Sequence, residues 1–178
     1  MEKVNIHEMP KEILMIENAS LVLHNMKTVH RLCTQPYYKH KRGCPNFNSK
    51  EGCPPGILHI SQQYDLSSIN ILLIKFPFYE YISLKQELHS DWGLRELINQ
   101  RHWQGHLKSN LNEHWEDIKE GYPEYKVIKN PEAQGVNVEE TLKNYDISLN
   151  WCGKNEYEEI TDVPEYIYHV YLLGKELE

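Results

Sequence analysis

Asn70-Ile-Leu-Leu-Ile-Lys-Phe76 is the stretch from which the fold can be read. It is a continuous apolar run of strand length, stopped by Pro77. A run without alternation suits a strand covered on both faces. Downstream the period changes. Beyond Gly93, apolar residues recur at Leu94 and Ile98, then at Trp103, Leu107, Leu111, Trp115 and Ile118. These i, i+4 steps put one buried stripe on a long amphipathic helix, which Gly121 and Pro123 end. Ser83 with Gln86 predicts a capping box ahead of it, and Asn137 with Glu140 predicts another ahead of a short helix over 138–144. Residues 125–128, 147–151 and 166–173 read as further strands. Upstream, Ile13, Leu14, Ile16 and Ala19 give a weak helical pattern after Pro10. Residues 20–26 suit a short strand, and 57–64 one or two helical turns. Strands and helices interleave without strict βαβ order. The expected fold class is therefore α/β or α+β, a single domain over residues 1–178 with a mixed β-sheet, a long amphipathic helix and a cysteine-rich loop.

Composition narrows the function. The chain has 178 residues, 40% hydrophobic, enough for an ordinary core. Nineteen Lys and Arg against 26 Asp and Glu give a net charge of −7, so the chain as a whole is not a non-specific nucleic-acid binder. No apolar run reaches the roughly 20 residues of a membrane span. The start lacks the apolar core of a signal peptide, so the cytoplasm is the expected compartment. Disulfides are rare there, and clustered cysteines are more often metal ligands.

Three of the four cysteines lie in one such cluster, Cys33-Thr-Gln-Pro-Tyr-Tyr-Lys-His-Lys-Arg-Gly-Cys44-Pro-Asn-Phe-Asn-Ser-Lys-Glu-Gly-Cys53-Pro-Pro-Gly56. Gly, Pro, Asn and Ser punctuate it, so it reads as loop. It holds few aliphatic residues and cannot bury much core of its own. Thiolates bind soft or borderline metals, so the candidates are an iron–sulfur cluster, zinc, or free thiols. Structural zinc sites usually use paired C-x2–4-C knuckles, and this chain has no such cysteine pair. Its spacing is C-x10-C-x8-C, with Cys152 a further 98 residues on. Wider gaps suit a wider object, because the iron corners of a cluster stand further apart than the ligands of one ion. One cluster, [4Fe–4S], is the favoured reading, with Cys33, Cys44 and Cys53 as ligands and zinc as the alternative. Cys152 is the expected fourth ligand, the plainer alternative being a small buried hydrophobe. If Cys152 ligates, the cluster is closed and suits electron transfer. If it does not, one iron is open to a substrate as a Lewis acid.

These motifs resemble a family known only as predicted metal-binding proteins, a domain of unknown function. The matching residues are Val29, Arg31 and Cys33, then Cys44-Pro45-Asn46-Phe47, then Cys53-Pro54-Pro55. The likeness continues through Tyr64 and the strand from Ile71 to Ile74. It resumes at Pro131, Ala133, Gly135-Val136-Asn137-Val138 and Thr141, which is similar to the family's Pro-x-x-Ala-x-Gly-Ile-Asp-Val segment. Family members often carry a second cysteine run before that segment. Residues 121–130 hold no cysteine here, so the resemblance implies a single site and carries no settled reaction.

Other groupings have plainer explanations. Tyr37-Tyr38-Lys39-His40-Lys41-Arg42 could meet a phosphate, a substrate anion or nucleic acid. Balancing the charge of a thiolate-bound cluster is the favoured role, and nucleic acid is not favoured. His40 could also ligate, but reads better as a solvated member of the basic run. His102 and His106 stand at i, i+4 with His114 beyond, yet no acidic third ligand follows, so a half-exposed helix edge is expected. Tyr166, Tyr168 and Tyr171 suit a strand with polar tips at the surface. The acidic residues Glu156, Glu158, Glu159 and Asp162 read as a solvated face. There is no phosphate-binding glycine loop, nucleophile elbow or readable acid pair. The functional classes left are three. They are a cluster protein whose open iron coordinates a small molecule, a carrier or accessory cluster protein for a redox partner enzyme, and a structural zinc module with a basic nucleic-acid-binding surface.

Overall fold

The computed structural model describes residues 6, 8–37, 39–155 and 159–178. The chain runs through β1 (Glu12–Ile16), α1 (Met26–Thr34), β2 (Asn70–Phe76), α2 (Phe78–Leu88), α3 (Leu94–Leu97) and α4 (Gln104–Ile118). It continues through β3 (Tyr125–Ile128), α5 (Val138–Lys143), β4 (Gly153–Lys154), β5 (Ile160–Asp162) and β6 (Ile167–Lys175). A four-stranded sheet has the order β1-β2-β6-β3, and β4 and β5 form a separate hairpin. β3 lies antiparallel to β6, with Tyr125 opposite Lys175 and Ile128 opposite Leu172. The fold is α+β, and its four-stranded sheet is antiparallel. No connection is the βαβ crossover that a parallel pair requires.

β2 is the strand the apolar run predicts, and Ile71, Leu72, Leu73, Ile74 and Phe76 have no exposed surface. Asn70, at its start, is also buried, and its Oδ1 accepts a 2.9 Å hydrogen bond from the Asn18 N–H. Among the described residues no helix is long and apolar enough to cross a membrane.

Contacts group the chain into two compact units, each assembled from three segments. The first comprises residues 1–14, 72–121 and 149–169; the second comprises 15–71, 122–148 and 170–178.

In the first unit the helical stripe is interrupted. Leu97 of α3 and Leu107 and Leu111 of α4 are fully buried. Between the two helices Asn99 starts a short 3-10 turn, its Oδ1 accepting from the Arg101 N–H at 3.1 Å. That cap ends one helix and begins another, which the i, i+4 spacing does not register. The Ser83–Gln86 capping box does not form. α2 begins at Phe78, after Pro77, so Ser83 lies inside it and donates to the Tyr79 carbonyl at 3.0 Å. His102 pairs with Glu96 at 3.1 Å and lies against Trp92, in keeping with a helix edge. Residues 147–151 are not a strand; the chain turns instead into the short β4–β5 hairpin. Glu156 and Glu158 fall outside the described residues.

Residues 12–16 form an edge strand rather than a helix, because five residues after Pro10 are too few for a helical period to show. Residues 20–26 are not a ladder strand either. They make one isolated bridge, Leu23 to Val136, before Asn25 caps α1. Tyr171 departs from its expected place at the surface. It is 2% exposed, on the inward face of β6, and burial raises its hydroxyl pKa.

His169 on β6 gives the first unit a pH dependence. Burial lowers its pKa from 6.5 to about 4, and the Lys108 charge pushes the same way. The folded chain holds this ring neutral while the unfolded chain protonates it near 6.5. Stability from this group is therefore complete above pH 6.5 and is lost as the pH falls toward 4. The loss is expected to reach about 3 kcal/mol. Urea unfolding between pH 7 and pH 4 should show it, and His169→Gln should flatten that part of the profile.

Candidate metal centre

The cysteine loop hangs from α1, and α1 is held by main-chain contacts behind it. Asn25 caps the helix, its Oδ1 accepting from the Thr28 N–H at 2.9 Å. Val29 is the residue α1 buries, while Arg31 is exposed in the last turn, where a cation suits the negative end of the helix dipole. The chain leading into α1 lies along the Pro131–Thr141 segment. The His24 N–H donates to the Gly135 carbonyl at 2.7 Å, and the Asn137 N–H donates to the Val22 carbonyl at 2.8 Å. The Val22 N–H donates to Thr141 Oγ1 at 2.9 Å. Asn137 also caps α5, as expected, through the Glu140 N–H. Gly135 has φ +97°, and a Cβ there would stand 2.5 Å from His59 Cδ2. His59 Nε2 in turn bonds the His24 carbonyl at 2.9 Å. The glycine of this segment therefore lets the loop bearing His59 close onto the lead-in chain.

Cys33 lies in the last turn of α1 rather than in loop, and Gln35 closes the helix by donating to the Leu32 carbonyl. A tight hairpin follows, with Tyr37 and His40 exchanging backbone bonds of 3.1 and 2.8 Å and stacking their rings at 4.6 Å. Lys39 takes φ +61° at its tip. Tyr38 falls outside the described residues. The chain then returns onto the helix end, and the Cys44 N–H donates to the Cys33 carbonyl at 2.7 Å. Gly43 makes this return feasible. Its φ is +80°, and a Cβ would stand 2.4 Å from the Cys33 oxygen and 2.6 Å from the Thr34 carbonyl carbon. Only glycine fits so close to backbone.

From Cys44 onward the loop is a series of turns. The Phe47 N–H donates to Cys44, Lys50 to Asn46 and Cys53 to Lys50, each at 3.1 Å. The Asn48 N–H closes the arc on the Pro54 carbonyl at 2.8 Å. Phe47 turns back onto α1 and meets His30 edge-on, with ring centroids 5.8 Å apart. The arc from Asn48 to Gly56 surrounds an open hollow of about 300 Å³, with Cys53 in its wall.

Cys44 and Cys53 are thus both brought within electrostatic reach of Cys33, and all three are free thiols. Burial pushes the Cys33 thiol above its ordinary pKa, and the neighbouring Cys44 and Cys53 push it further. Three thiolates repel, so a bound cation is what would hold them ionised together. Among the described residues no three His, Cys, Asp or Glu side chains converge closely enough to hold a single metal ion. Cys152 belongs to the first unit, just before β4. Burial raises its thiol pKa, and the Asp162 carboxylate adds to the rise. Lys39, Lys41 and Arg42 are exposed on and beside the hairpin, with His40 half-buried between them.

On α1, His30 Nε2 is buried and makes no hydrogen bond. The donors the loop offers a metal group are three thiols, with Cys53 in the wall of the hollow.

Gly43→Ala should uncouple the two ends of the loop, because the added methyl must displace backbone. A local cost of roughly 2–4 kcal/mol is expected. Metal retention after gel filtration should fall sharply while the far-ultraviolet circular dichroism stays that of the parent. Retention equal to the parent's would mean that the Cys33–Cys44 contact does not shape the centre. Comparison with family models, curated proteins and solved structures returned no match to this chain.

Proposed function

We propose that the chain binds one [4Fe–4S] cluster through Cys33, Cys44 and Cys53, as a small iron–sulfur protein of the cytoplasm. The observation that carries this is the Cys44 N–H to Cys33 carbonyl bond at 2.7 Å. With Gly43 pressed against it, that bond draws the first two cysteines together while the next turns bring Cys53 into electrostatic reach of Cys33. The donors are soft, and their C-x10-C-x8-C spacing is wider than the paired knuckles of a structural zinc site, which favours a cluster over zinc. The resemblance of the Cys-Pro-Asn-Phe and Cys-Pro-Pro motifs to a metal-binding family points the same way. Lys39, Lys41 and Arg42 would offset the negative charge of a thiolate-bound cluster.

Three thiolates leave one iron whose remaining donor decides the use of the cluster. An outside donor makes that iron a Lewis acid toward a small molecule. A donor from the chain makes the cluster a closed carrier or an accessory to a partner enzyme. Cys152 is the other thiol the sequence offers. Its burial and the adjacent Asp162 both disfavour the thiolate that iron requires.

Anaerobic reconstitution with ferrous iron and sulfide is the test. About four iron atoms and about four acid-labile sulfides per chain are expected. One zinc and no sulfide would sink the proposal. Each of Cys33→Ala, Cys44→Ala and Cys53→Ala should lose most of the bound iron, whereas Cys152→Ala should keep it.

A further inference from the structure

We propose that the last turn of α1 and the hairpin closed by Tyr37 and His40 form a docking surface for a partner protein, one that presents an acidic segment with apolar side chains among its carboxylates. The proposal goes beyond the cluster reading and does not depend on what the thiols hold.

Charge is spread unevenly along this chain. Its net charge is −7, yet no Asp or Glu occurs between Glu17 and Glu51, the stretch that holds Lys27, Arg31, Lys39, Lys41, Arg42 and Lys50. The fold gathers most of these cations. The Cys44 N–H to Cys33 carbonyl bond at 2.7 Å, with Gly43 close against the Thr34 backbone, brings the base of the hairpin onto the end of α1. Arg31 and Arg42 each stand two residues from that bonded pair, and Lys39 and Lys41 lie on the hairpin between. All four are exposed. Elsewhere exposed lysines are matched by carboxylates: Lys119 by Glu116, Lys143 by Glu139 and Glu140, and Lys175 by Glu124. Among the described residues no carboxylate pairs with Arg31, Lys41, Arg42 or Lys50. Like charges held together repel one another, and the field they make steers an anionic partner.

The surface also has an apolar part. Leu32, beside Arg31, is 46% exposed, and Tyr37 is 52% exposed. Tyr37 stacks one face on the His40 ring at 4.6 Å, which holds it in place with its other parts open. Tyrosine and arginine are enriched where proteins meet, and a rim of charge around apolar anchors is the usual arrangement. A nucleic acid fits less well. It repeats its charge along its whole length and would run from these cations onto the acidic remainder of the chain, whereas a compact acidic segment matches the cations alone. Leu32 also has no counterpart in a phosphate backbone.

The test uses the full chain, kept reduced, and a short fluorescein-labelled peptide repeating Glu-Glu-Phe-Glu-Glu-Leu, followed by fluorescence anisotropy. Saturable binding is expected, weakening by about tenfold from low to physiological salt. The charge reversal Lys41→Glu with Arg42→Glu should cost at least about tenfold in affinity. Arg101→Glu with Lys119→Glu, on helices of the first unit, changes the net charge equally and should cost far less. Leu32→Ser should weaken binding by about fivefold, and an all-Glu peptide should bind the parent correspondingly less tightly. Circular dichroism of each variant should match the parent, because every substituted side chain is exposed. No saturable binding of the peptide overturns the proposal. So does an equal loss from the two double reversals, or parent-like affinity in Leu32→Ser. A single-stranded oligonucleotide that binds more tightly than the peptide also overturns it, and makes the surface one for nucleic acid.

Discussion

A chain segment with no ladder of its own must still find partners for its peptide groups, and residues 19–25 find theirs across the second unit. Ala19 bonds the Ile69 carbonyl, Ser20 bonds the Tyr145 hydroxyl, and Val22 bonds Thr141 on one side and Asn137 on the other. His24 bonds Gly135. Each of these replaces a hydrogen bond to water, and a net contribution of about 1 kcal/mol apiece is typical. Their larger effect is positional. They fix where α1 begins, α1 fixes Cys33, and Cys33 anchors the return of the loop at Cys44. The Gly-Val-Asn-Val segment, which in sequence was only part of a family resemblance, therefore braces the chain that leads into α1.

The electrostatics of the loop follow from that geometry. Bringing thiols together without a cation raises the cost of ionising any one of them, and Cys33, the most constrained by its helix, carries the shift. A metal group reverses the sign of the argument, because it favours the thiolates that the bare loop disfavours. The exposed cations of the adjoining hairpin act in the same direction at longer range and are weakened by salt.

Sequence and structure agree where one physical signal dominates. β2 was legible because a continuous apolar run has few other fates, and β3, α5 and β6 because caps and turn residues bound them. β1 was misread because a five-residue stretch cannot separate a period of 3.6 from one of 2. Residues 20–26 were read as a strand; their partners, however, are side chains and one isolated bridge. The break at Asn99 was hidden because a cap interrupts a helix without disturbing its apolar spacing. In the site, the cysteine positions were plain. The helix carrying Cys33 and the glycine contact at residue 43 were not, since both depend on where the chain returns.

The brace behind α1 also sets an order of events during synthesis. All three loop cysteines are made by residue 53, but the residues that fix the lead-in chain extend to Tyr145. At ribosomal speed the intervening stretch takes roughly five to twenty seconds. Through that interval the three thiols exist without the framework that positions them. A loop whose cysteines are held in place therefore belongs to the nearly finished chain, and until then its thiols are free to pair wrongly.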